Sequence, residues 1–176
     1  MNDRRRRVVL GSLLAAFGVG LLVLTLYAVT RSDEDTDALP ASLRTLLASA
    51  TPASAPFPAL TELRLGVGGR CLRVVVADTD PERARGLMAR TDLGDYDGML
   101  FVVPRPIGNA FTMSGTRVPL DIAWYRPDGT RGGDAQMVVC RDTIANCPVY
   151  QPPIDWRFAL ETLHGELPDG DLAPCA

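Results

Sequence analysis

Two acids in the second half of the chain could do chemistry together: Asp121, which follows Pro119-Leu120, and Glu161, in the string WRFALETL. A carboxylate pair serves general acid-base work, glycoside cleavage included, when a cleft holds its members several ångströms apart. That distance belongs to the fold and not to the spacing. In the competing reading Asp121 accepts backbone or arginine hydrogen bonds at a turn, and Glu161 stands on a solvated face of a strand. Arg85, in ERARGLM, has a fork of donors that could clamp an anion. As the last residue of a short helix it could equally pair with a neighbouring acid and favour the helix dipole. Met88, Met99 and Met113 lie beside Leu and Phe in strands and turns, which reads as core packing and not as a soft-metal stripe. Trp124-Tyr125 and Trp156 could stack on sugar rings, with burial of at least one tryptophan as the plainer use.

His164 is the one histidine of the chain, and no G-x-S-x-G string or P-loop is present. Ser-His and Cys-His hydrolases need a positioned imidazole base, so those classes are disfavoured. The 18 basic residues are all arginine, and the formal net charge is -3. With Arg4 to Arg7 gathered at one end, the remainder is mildly acidic, and a nucleic-acid partner is not expected.

Cys71, Cys140, Cys147 and Cys175 form an even set without C-x2-C spacing, which argues for two disulfides over zinc or a redox pair. No metal and no cofactor are expected. Cys140 and Cys147 flank a short polar loop and can meet across a local reversal. Pairing them leaves Cys71, at the start of an early strand, to pin Cys175 in the C-terminal coil.

These residues need elements to position them. Residues 8–30 are apolar and uncharged, long enough at about 1.5 Å per residue to cross a hydrocarbon core of roughly 30 Å. Arginines precede the run and Asp33, Glu34, Asp35 and Asp37 follow it, so the positive-inside rule puts a tail of residues 1–7 in the cytoplasm. The expectation is a single-pass anchor in the cell membrane with everything after Arg31 outside. A cleaved signal peptide, the alternative, would have a shorter apolar run and a small-residue exit, and would leave the domain outside all the same. Residues 31–59, acidic and then rich in Pro, Ala and Ser, read as a flexible linker. Within it residues 41–49 could form a turn or two of helix with Leu43, Leu46 and Leu47 on one side, marginal alone.

Residues 60–176 read as the globular domain, of α+β class and β-dominated. Apolar runs with period two or short length predict strands at 63–67 and 71–77 around a Gly68-Gly69 hairpin, and further strands at 98–103, 109–113, 120–126, 135–140 and 156–163. Asp80-Pro81 predicts one short helix ending at Gly86. The expected architecture is a curled antiparallel or mixed sheet, or a small barrel, with one or two short helices after a single transmembrane helix.

Arg85-Gly86-Leu87-Met88, Gly98-Met99-Leu100-Phe101, Phe111-x-Met113-x-x-Thr116 and Pro119-Leu120-Asp121 occur in that order, with Gly129, Glu161 and Gly165 beyond them. In this the chain resembles the uncharacterised "domain of unknown function 192" family. The resemblance implies a compact β-rich domain, often exported, and carries no activity, cofactor or catalytic residue. The ordered polar and turn-adjacent residues of this chain leave Arg85, Met113, Thr116, Asp121 and Glu161 as the candidate functional surface. The chain has Thr112, Ser114 and Gly115 in the string where the family usually reads F-W-M-K-N-T, so any surface built on the Trp and Asn positions is altered. The leading expectation is a membrane-anchored extracytoplasmic module that binds an envelope ligand or partner protein. The rival is a glycan hydrolase of the envelope using Asp121 and Glu161.

Overall fold

A computed structural model describes residues 39–142 and 144–175. The tail, the apolar run at residues 8–30 and the start of the expected linker lie outside the described residues. Among the described residues no helix is long and apolar enough to cross a membrane.

The chain order is α1 (Ala41–Ala48), β1 (Thr51–Pro52), β2 (Thr61–Val67), β3 (Arg70–Ala77), α2 (Asp80–Arg85), β4 (Gly98–Ile107), β5 (Phe111–Thr112), β6 (Leu120–Tyr125) and β7 (Arg131–Met137). A 3-10 turn at Ile144–Asn146 then leads to β8 (Val149–Tyr150), β9 (Trp156–Leu163) and β10 (Leu172–Pro174). Strands β1-β2-β3-β4-β9-β6-β7 form one sheet in that order, with β10 also on β2, and β5 pairs with β8 apart from it. The β3-β4 pair is parallel and every other pair is antiparallel. The sheet is open: β1 and β7, at the two ends of the order, do not pair with each other. The expected class is therefore right in its mixed, β-rich character, and the barrel alternative is corrected. Closure would require every strand to have two neighbours.

The parallel pair explains α2. Parallel neighbours need a crossover, and the chain makes it through a helix that starts at Asp80-Pro81 and ends at Gly86. Glu82 secures its first turn by accepting the backbone N–H groups of Asp78 and Thr79 at 3.2 and 3.0 Å.

The sheet is buried on both faces, which is why its inner strands read as continuous apolar runs. One face carries Val75, Met99, Phe101, Ile122, Trp124 and Ala159. The other carries Leu65, Val74, Leu100, Tyr125, Phe158 and Leu160. Each of the larger of these side chains contributes about 1.5–3 kcal/mol by leaving water.

The segment expected to be a flexible linker is, from Leu39 on, part of the folded body. Leu43 and Leu46 of α1 are buried against Leu63, Leu65 and Leu172 on the second face, and Ala53 and Phe57 join the core of the first. The ring of Phe57 meets that of Tyr96 edge-on, with centroids 5.6 Å apart. Arg73 grips Glu62 through two donors at 2.8 and 3.1 Å, Tyr96 donates to the same carboxylate, and the Ser54 N–H donates to the Tyr96 oxygen at 2.8 Å. Arg73 and Tyr96 together hold the Glu62 carboxyl below its ordinary range. A helix of two turns is marginal alone, and here a waiting apolar face stabilises it.

Disulfides join Cys71 to Cys175 and Cys140 to Cys147, with Cα separations of 5.3 and 5.6 Å. The first ties the C-terminal coil to β3. The second closes the loop that leads into β8.

Candidate functional site

Glu161 sits near the C-terminal end of β9, directly across from Met99 on β4 and Ile122 on β6. Paired residues share a face, so its carboxyl projects among the apolar side chains of the first face. It is 6% exposed, and its carboxyl makes no hydrogen bond or ion pair among the described residues. Burial alone pushes it up from its ordinary value of 4.5 to about 8, so it is mostly neutral at pH 7 and able to donate a hydrogen bond. The expectation of a solvated face is corrected. The flanking strands cover both sides of β9, and a polar residue between apolar ones is then turned inward.

What Glu161 faces is a cavity of about 400 Å³ between the end of α2, the turn from β4 to β5 and the loop at 114–116. Its wall is aromatic. Phe111 meets Phe101 edge-on with centroids 5.2 Å apart, and lies 5.3 Å from Trp156. The indole N–H of Trp156 donates to the Asn109 carbonyl at 3.0 Å, which fixes the ring's orientation. These aromatic residues and Asn109 were not among the candidates drawn from the sequence, apart from Trp156 as a stacking platform. The signal for them was present in the F-T-M string and in the tryptophan that opens β9.

At the rim the two arginines of α2 divide the labour. Arg83 is tied to the Val102 carbonyl at 2.7 Å, to the Asp78 carbonyl and to Asp80. Arg85 is exposed and its guanidinium has no hydrogen bond or ion pair among the described residues, so the expected pairing with a neighbouring acid falls to Arg83 instead. Both residues line the cavity, but two positions along a helix point about 200° apart, so only Arg83 meets those acceptors.

Thr116 lines the same cavity and is buried. Met113 is 1% exposed and packs in the core without lining it. Gly115 has φ 74°, a left-handed conformation that Gly accepts freely and Asn next most readily. The glycine in place of the family's asparagine therefore preserves the backbone of this loop. Ala89, at φ 63°, carries strain in the same region and is held by donating its N–H to the Gly115 carbonyl at 2.8 Å.

Asp121 is elsewhere. It pairs with Thr162 and shares the second face with Ala123 and Tyr125, away from the cavity. Its oxygens lie 2.8 Å from His164 Nδ1 and accept the Gly165 N–H at 2.7 Å. Of the five candidates the fold thus brings Arg85, Thr116 and Glu161 to one cavity, sets Met113 in the core behind it, and separates Asp121. Among the described residues no group of three or more His, Cys, Asp or Glu side chains could hold a metal ion.

The family model DUF192, described as an uncharacterized ACR, matches residues 63–174, which include every strand from β3 to β10 and the whole cavity. The chain belongs to the DUF192 family. A protein of unknown function from Novosphingobium aromaticivorans is similar to it in structure at 30% identity, with a TM-score of 0.55, 66% of this chain and 84% of that one being covered. A proposed transcription regulator from Sinorhizobium meliloti shares the fold, with a TM-score of 0.53 at 22% identity over 63% of this chain and 90% of its own. No curated protein matches. The DUF192 motifs thus fall on two kinds of position: Arg85 and Thr116 around the cavity, and Met99, Met113 and Leu120 in the core beneath it.

Proposed function

We propose that this DUF192 domain is a ligand-binding module of the cell envelope, held outside the membrane by the apolar run at residues 8–30. One observation carries the binding reading: Glu161 is buried, unpartnered and mostly neutral at the end of an aromatic-walled cavity. A buried carboxyl without a partner costs stability, and a ligand that accepts its proton in a hydrogen bond repays that cost only when bound. Aromatic walls with a few convergent polar groups are the usual make-up of a small-molecule site. The membrane location is supported by the arginine cluster before the run and the acids after it.

The hydrolase reading loses its second carboxylate. Glycoside cleavage by a carboxylate pair needs both groups on one side of a cleft, and Asp121 is turned to the opposite face. The test is a screen of small polar ring compounds on the full-length protein in detergent, read as thermal stabilisation. A true ligand raises the melting temperature of the native protein and not that of Glu161→Leu. Equal stabilisation of both proteins by every hit would sink the assignment of this cavity.

A further inference from the structure

The cavity at Glu161 does not end at its own rim. A second cavity, about 520 Å³, shares Arg85 and Gly86 with it and runs toward Phe57 and Arg90. A third, about 720 Å³, shares Met88, Ser114 and Thr116 and runs toward Arg117 and Arg141. The three cavities share lining residues and so lie side by side over the end of α2 and the loop at 114–116, as the stations of one surface groove. Each segment alone has room for a ligand the size of one sugar or more.

The charge along the groove is the reverse of the chain's. Arg85, Arg117 and Arg141 are exposed and their guanidinium groups make no hydrogen bond or ion pair among the described residues, and Arg90 lies over the Phe57 ring at 4.6 Å. Of the groove's acids, Asp80 is paired with Arg83, Glu82 is turned back on the first turn of α2, and Glu161 is mostly neutral. Asp142, at the third cavity, accepts the Asn146 side-chain amide at 3.2 Å. An excess of open guanidinium groups on a protein of net charge -3 marks a surface for anions.

We propose that this groove takes an acidic glycan chain, with one ring in the aromatic-walled centre against Glu161 and carboxylates of the flanking residues on Arg85 at the centre and Arg117 and Arg141 at the far end. This rests on the binding reading above and extends it to a chain-like ligand. A glycan is favoured over an acidic peptide by two features. Sugar rings present a flat apolar face to Phe111, half-buried at the cavity wall, and hydroxyls to a neutral carboxyl. The strands that floor the groove, β4 and β9, are paired on both edges, so an added peptide strand finds no open ladder there. The Cys140–Cys147 disulfide has a place in this scheme: it closes the loop that carries Arg141, and a parallel bridge sets Cys140 beside Ser114.

The experiment is a binding series on the full-length protein in detergent, using galacturonic acid and its oligomers up to about five residues, with oligoglutamate as the peptide arm. Affinity is expected to rise at least about tenfold from monomer to tetramer and to weaken with added salt. The exposed double variant Arg117→Gln/Arg141→Gln should lose about tenfold for the tetramer and leave the monomer unchanged, while Glu161→Leu should weaken both. Monomer bound as tightly as tetramer would overturn the groove and leave the cavity reading standing. Oligoglutamate binding with no oligogalacturonate binding would overturn the glycan. Binding of neither overturns the anionic ligand, while the screen of neutral ring compounds still decides the cavity by itself.

Discussion

Asp121 and Glu161 project from opposite faces of one sheet. Ile122, not Asp121, lies across from Glu161 in the β6-β9 pair, and a step of one residue along a strand reverses the side chain. Two acids that could have formed a catalytic pair are thereby assigned to separate tasks, Glu161 to the cavity and Asp121 to the turn after β9.

Asp121→Asn tests that division. Asp121 secures His164 and the Gly165 N–H, and loss of these contacts should cost about 1–3 kcal/mol in urea unfolding. Binding by the folded fraction should be unchanged. Native stability combined with abolished binding would place Asp121 in the site after all.

Glu161 makes stability depend on pH in a stated direction. Its carboxyl is raised from 4.5 to about 8 in the folded protein, so between those values the folded state holds more protons than the unfolded one. The proton-linked stability is fully present below the unfolded value and is lost as pH rises through about 8. The slope attributable to this one proton is at most about 1.4 kcal/mol per pH unit. Denaturant midpoints measured from pH 5 to pH 9 should fall for the native protein and flatten in that window for Glu161→Gln. Parallel curves for the two proteins would refute the buried, neutral carboxyl.

The segment ahead of β2 should behave as structure. Leu43→Ala removes a buried side chain and should cost about 2–4 kcal/mol, whereas Ser42→Ala, exposed on the same helix, should be close to neutral. A flexible stalk would show no difference between the two in thermal melts.

The two disulfides should differ in weight. Cys71 and Cys175 are 104 residues apart and Cys140 and Cys147 only 7. The chain-entropy model assigns the long loop about 4–5 kcal/mol and the short one about 2–3 kcal/mol. Cys71→Ser/Cys175→Ser should therefore lower the melting temperature more than Cys140→Ser/Cys147→Ser does. In the groove the order reverses: only the second double variant frees the loop of Arg141, and it should weaken binding of the tetrameric probe.

Membrane orientation has its own test. A reporter for it belongs close to the apolar run, ahead of the folded body that begins at Leu39. A cysteine placed by Thr36→Cys should react with an impermeant thiol reagent added to intact cells. Labelling only after lysis would reverse the orientation.

Local chemistry was legible along the chain. The sequence by itself determined β9 to the residue, because a Trp-to-Leu apolar run bounded by Asp155 and His164 has clear ends, and α2, because Asp-Pro opens a helix and Gly86 closes it. Chain separation was enough to pair the cysteines. Strands β1, β8 and β10, of two or three residues, were not legible, since so short a run has no period. Nor was the fate of residues 39–59, because an amphipathic helix of two turns declares its apolar side and not the surface that will cover it. The tertiary structure alone decided that Glu161 is buried. A polar residue between apolar ones reads as outward-facing in a strand with one wet side, and only the order β4-β9-β6, assembled from segments far apart in the chain, leaves β9 with no wet side at all.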